Sequence, residues 1–111
     1  MDATPFPYDG PDELAGLVVA ALQRVVDPEV ALSIVDVGLV YGVSIDDAGA
    51  ATVRLTMTSA ACPVADVIVD DVAAELERVL PPGAPIDVEL VWEPPWTPAM
   101  MSERARRFMG W

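Results

Sequence analysis

The run from Ala50 to Trp92, AATVRLTMTSAACPVADVIVDDVAAELERVLPPGAPIDVELVW, decides the fold. Over about residues 50–58, Val53, Leu55 and Met57 alternate with Thr52, Arg54, Thr56 and Thr58, the two-residue period of a strand with one buried face. From 63 to 80 the period lengthens. Val64, Val67, Ile68, Val72, Leu76, Val79 and Leu80 share one helical face, while Asp66, Asp70, Glu75 and Glu77 favour solvent. Pro81-Pro82-Gly83-Ala84-Pro85 stops that helix, and alternation returns with Ile86, Val88, Leu90 and Trp92 against Asp87, Glu89, Val91 and Glu93. Strand, helix and strand in this order make a β-α-β unit, so the two strands are expected to run parallel with a right-handed crossover.

Upstream, Asp46-Asp47-Ala48-Gly49 is turn chemistry and joins a strand over 38–45 to the one over 50–58 as an antiparallel hairpin. Residues 30–37 read as a turn or short helical piece. Before them, Leu14, Leu17, Val18, Ala21, Leu22 and Val25 recur at helical spacing, started by Pro11-Asp12 and ended by Asp27-Pro28. Residues 1–10, rich in Pro and Asp, are expected to be a flexible tail ahead of a single domain over 11–111. At the other end, Glu93-Pro94-Pro95-Trp96-Thr97-Pro98 is rigid and extended, and Ser102 caps a short last helix ending at Gly110. The expected fold class is α/β (α+β): a two-layer sandwich, with a small mixed three-stranded sheet and helices on one face. The other face, with Thr52, Thr56, Thr58 and Val91, is either solvated or a pairing surface.

Composition excludes several function classes. The net charge is −12, and all six basic residues are arginines, so neither nucleic acid nor an anionic membrane surface is an expected partner. No apolar run approaches the roughly 20 residues that span a bilayer. The first residues lack the basic start of a signal peptide, and one cysteine makes no disulfide framework; both point to the cytoplasm.

That cysteine, Cys62, lies where strand gives way to helix, with Pro63 suited to the first helical position. A thiol there sits over unpartnered N–H groups and the positive end of the helix dipole, surroundings that favour thiolate. The competing reading is a small buried hydrophobe. No histidine exists to serve as base, which argues against a hydrolase nucleophile; no catalytic residue is assigned and the chain is expected not to be an enzyme. Thiolate–metal or persulfide chemistry needs no such base. Asp27, Glu29 and Asp36 flank the strand that pairs with the one leading to Cys62. Sulfur and oxygen ligands together suit iron or zinc, but one Cys without His makes no closed structural zinc site. Trp92, Trp96 and Trp111 are read equally as packing anchors or as a binding surface.

The ordered set Asp27-Pro28-Glu29, Ile34-Val35-Asp36-Val37-Gly38-Leu39-Val40-Tyr41, Thr56-Met57-Thr58 to Cys62-Pro63, Pro94-Pro95-Trp96 and Met101-Ser102 to Gly110-Trp111 resembles the SufT/PaaD-like family of iron–sulfur assembly proteins. The likeness covers roughly residues 12–111. It implies an accessory factor in iron–sulfur cluster assembly or transfer, working with assembly machinery and client apoproteins; a homodimer through the exposed sheet face or the C-terminal segment is expected. The family's functional cysteine falls on Cys62, with hydroxyl companions Thr56 and Thr58 and acidic companions Asp27, Glu29 and Asp36 as metal ligands beside it. The implied cargo is iron or an iron–sulfur cluster held transiently. A second reading is a client-recognition adaptor without metal handling, contacting partners through Trp96, Trp111, Arg104 and Arg107. A third is a small non-catalytic subunit of a phenylacetyl-CoA-type oxygenase. The PaaD branch usually adds a cysteine-rich C-terminal segment that this sequence lacks, so the SufT-like branch is the better match.

Overall fold

The protein was analysed as a computed structural model, which describes residues 5–28, 30–57 and 65–110. In chain order the elements are β1 (Tyr8–Asp9), α1 (Asp12–Gln23), β2 (Val26–Asp27), β3 (Leu32–Ser33), α2 (Ile34–Val37), β4 (Val40–Ile45), β5 (Ala51–Leu55), α3 (Ala65–Val79), β6 (Ile86–Leu90), a 3-10 turn (Pro98–Met100) and α4 (Glu103–Met109). The main sheet has the order β1-β4-β5-β6, with a separate β2-β3 ribbon.

The hairpin forms as the turn residues require. The Asp46 carboxylate accepts the N–H groups of Ala48 and Ala50, at 3.0 and 2.9 Å, closing an Asx turn between antiparallel β4 and β5. β5 and β6 pair in parallel, with Val53 beside Val88 and Leu55 beside Leu90, as the β-α-β reading expected. Val53, Leu55, Ile68, Val72 and Leu76 are fully buried, so the alternating and helical stripes meet in one core.

Three expectations change. Residues 5–10 do not hang free: Phe6 is buried, and Tyr8–Asp9 adds a fourth strand parallel to β4. The lone aromatic pair Phe6 and Tyr8 offers apolar area that outweighs the proline-rich spacing around it. Helix α1 ends at Gln23 rather than at Asp27-Pro28, because Val26–Asp27 turns into the ribbon with Leu32–Ser33. Leu17 of α1 and Val67 of α3, both expected on buried faces, are 48% and 51% exposed.

Ser33 opens α2 by accepting the Val35 N–H at 3.1 Å, and Gly38 closes it at φ 86°. That left-handed position favours glycine, and an added Cβ would meet the Met100 carbonyl oxygen at 2.3 Å. The C-terminal segment is tied down nearby. Trp96 donates its indole N–H to the Val37 carbonyl at 2.8 Å, and Tyr41 donates its hydroxyl to the Pro94 carbonyl at 2.6 Å.

Candidate functional site

The end of β5 and the β2-β3 ribbon carry two of the residues in question, Thr56 and Asp27. At the end of β5, Val40 pairs with Leu55. Just beyond, the Thr56 N–H donates to the Leu39 carbonyl at 2.8 Å, Leu39 N–H to Ile34 at 2.9 Å, and Ile34 N–H to Val25 at 2.9 Å. This relay of main-chain bonds joins the end of β5 to α2 and the β2-β3 ribbon. Asp27 lies in that ribbon, and Thr56 and Met57 lead from β5 into the stretch that carries Cys62.

Among the described residues, Asp27 and Thr56 are the buried polar or charged side chains, each 1% exposed. The main-chain carbonyl of Asp27 accepts N–H groups from Val30 and Ala31, fixing the ribbon's turn around it. Among the described residues the Thr56 hydroxyl has no hydrogen-bond partner. Leaving a buried hydroxyl unpaired costs roughly 1–3 kcal/mol. Thr56 therefore does not belong to a solvated sheet face, as one sequence reading had it.

Asp36 points elsewhere. Its carboxylate accepts the Ser102 hydroxyl at 3.2 Å, and its carbonyl accepts the Ser102 N–H at 2.7 Å. The same Ser102 oxygen accepts the Ala105 N–H at 3.1 Å, so one hydroxyl caps α4 and anchors it on α2. The Asp36 carboxylate is thus engaged across 66 positions. Cys62, Thr58, Glu29 and Trp111 lie outside the described residues. Among the described residues no group of three or more Cys, His, Asp or Glu is placed to hold a metal ion.

The proposed contact residues divide. Trp96 is half-buried and takes the clamp arrangement, with its indole N–H on Val37. Arg104 and Arg107 are exposed on α4, Arg107 in an ion pair with Glu103. Phe108, which sequence reading passed over, is 67% exposed on the same helix. Its signal was an aromatic directly following two arginines, where an outer face was otherwise charged.

A cavity of about 590 Å³ opens on the sheet face away from α1 and α3, lined in part by Tyr41, Arg54, Val91, Glu93, Pro94 and Met100. Its size is that of a small-molecule pocket. The Arg54 guanidinium lies over Gly42, where an added Cβ would meet its Nη2 at 2.6 Å. Two ionisable groups elsewhere are shifted. Burial, then the carboxylates of Asp12, Glu13 and Asp9, raise the Tyr8 phenol. The hydrogen bond from Arg24 holds the Glu75 carboxyl below its ordinary range.

Residues 17–89 match a family described as iron–sulfur cluster assembly protein. The chain is 43% identical over 93 residues to the Fe-S protein maturation auxiliary factor YitW of Bacillus subtilis, covering 84% of this chain and 90% of the relative. It is 44% identical over 86 residues to the Fe-S protein maturation auxiliary factor SufT of Staphylococcus aureus, covering 78% and 97%. A crystal structure of a domain of unknown function from Bacillus anthracis superposes with a TM-score of 0.80 at 42% identity, over 86% of this chain and 89% of that one.

Proposed function

Since this chain belongs to the iron–sulfur cluster assembly protein family, we propose that it is an accessory factor that carries iron, a persulfide or a nascent cluster on Cys62 and passes it to client apoproteins. The observation that carries this reading is the burial of Asp27 and Thr56. They are buried polar residues, both sequence candidates, at the end of the sheet from which the Cys62 stretch departs. Fold stability alone gives no reason to bury a hydroxyl that no described residue satisfies.

One thiolate is too few to hold a cluster, whose irons are usually ligated by four cysteines. The remaining ligands come from a second subunit, from the client, or from exchangeable groups such as Glu29 and Thr58. That makes the cargo transient and the role non-catalytic. Asp36 serves here as a positioning residue for α4 rather than as a ligand, in keeping with its bond to Ser102. The place of action is the cytoplasm, and no helix is long and apolar enough to cross a membrane among the described residues.

The test is Cys62→Ala in a host that depends on the protein. Loss of activity in iron–sulfur client enzymes, at unchanged level of the variant, is the expected result; full client maturation would remove the thiol from the mechanism. A client-recognition role draws support from exposed Phe108 beside Arg107 on α4. Anaerobic incubation with iron and sulfide separates the two. Cluster absorption in the parent, lost in Cys62→Ala, supports carriage; client capture with no absorption supports the adaptor.

A further inference from the structure

Strand β6 is the outermost strand of the main sheet and pairs on one side only, with β5, among the described residues. The parallel ladder fixes which main-chain groups are used. Ala51 N–H donates to the Pro85 carbonyl at 2.9 Å, and Val91 N–H donates to Leu55 at 2.7 Å. Odd-numbered residues of β6 therefore face β5, and the N–H and C=O groups of Ile86, Val88 and Leu90 point outward.

Acidic side chains border this edge on the open face of the sheet. Asp87 and Glu89 are exposed on the open face, opposite in pleat to half-buried Ile86 and Val88. On the other side, α3 packs against β6. Glu75 marks the side of α3 that faces α1, through its 2.8 Å ion pair with Arg24. Asp66, Asp70 and Glu77 of α3 are exposed as well. The edge thus offers outward main-chain groups, without partners among the described residues, beside the acidic row of Asp87 and Glu89.

We propose that the free edge of β6 binds an extended Lys- or Arg-rich segment of another protein by strand addition, its basic residues alternating with apolar ones. The outward groups of Ile86, Val88 and Leu90 supply the ladder, the carboxylates select the charge, and the period of two sorts the side chains. A second copy is disfavoured as occupant. Antiparallel self-pairing about Val88 sets Asp87 against Glu89 of the other copy, and like charges directly opposite destabilise a sheet. The proposal does not depend on the role of Cys62.

The test uses the full chain and a capped nine-residue peptide alternating lysine with valine. One control peptide carries prolines in place of the central valines, and another carries glutamate in place of lysine. Binding is followed by amide shifts and amide hydrogen exchange. The alternating basic peptide is expected to bind, less tightly at high salt, and to slow exchange at Ile86, Val88 and Leu90. Val88→Pro removes an outward N–H that β5 does not use and is expected to weaken binding by about ten-fold. The double charge reversal D87K with E89K, independent of any backbone effect, is expected to weaken it at least as much. Equal binding of the proline control, no binding of the alternating peptide, or protection of the same amides by self-association without peptide each overturns the proposal.

Discussion

Replacing Thr56 by Val tests the candidate site from the side of stability. The two side chains have nearly the same shape, so Thr56→Val removes the hydroxyl and leaves the packing of a residue that is 1% exposed. The Thr56 hydroxyl has no partner among the described residues, whereas in the unfolded chain it is hydrated. A buried unsatisfied group of this kind costs roughly 1–3 kcal/mol, and valine avoids that cost. The expected gain is about 1–2 kcal/mol. For a domain of this size each kcal/mol moves the thermal midpoint by about 4–8 °C, so melting should rise by roughly 4–16 °C. Urea unfolding with an unchanged slope gives the free-energy difference directly. A variant less stable than the parent by more than about 0.5 kcal/mol would refute the reasoning, because the hydroxyl would then have a partner in the native protein. The same variant probes the proposed function. More stability with impaired client maturation is the trade-off expected when a polar group is kept for function. More stability with full maturation would strip Thr56 of that role.

Gly38→Ala forces a Cβ into a left-handed position and against the Met100 carbonyl, and should cost at least about 2 kcal/mol in urea unfolding. Ser102→Ala removes both the α4 cap and the bond to Asp36, and should cost about 1–2 kcal/mol, with exchange at the Ala105 amide accelerated. Asp36→Asn should cost less, since the amide oxygen still accepts from the Ser102 hydroxyl. Glu75 has a folded-state pKa held low by Arg24, so its contribution is present above the ordinary carboxylate range and lost as pH falls through the lowered value. Stability curves of the parent and Glu75→Gln should therefore converge in acid; a gap as wide at pH 3 as at pH 7 would exclude this linkage.

Much of the fold was legible because two periods, two and 3.6, change cleanly along the chain, and because Asp46, Ser102 and Gly110 stand where turns and caps need them. The tail over residues 5–10 was not legible. Two-residue β1 is too short to show a period, and only its burial of Phe6 explains it. The early stop of α1 was hidden for a related reason: Val25 continues the helical stripe and is buried, although it lies in the turn after the helix. At the candidate site, Asp27 and Thr56 were named from motif order, but their burial came only with the tertiary structure. The engagement of Asp36 by Ser102 joins residues 66 apart, a distance that no local pattern encodes. Trp96 was open between clamp and contact surface until the Val37 carbonyl was seen to receive its N–H.

The bonds that hold the C-terminal strap carry a consequence for timing. They join residues 53, 59 and 66 positions apart, through Tyr41 and Pro94, Val37 and Trp96, and Asp36 and Ser102. Loop closure must precede any gain from such contacts, so they form late in folding. Helix α2, which the main-chain relay links to the end of β5, therefore has its outer side covered only when the final helix arrives. A chain whose last residues have not yet docked has built its sheet but not yet fastened α2. Amide exchange during refolding should show it: protection in β4 and β5 first, and at Ser102 and Ala105 last.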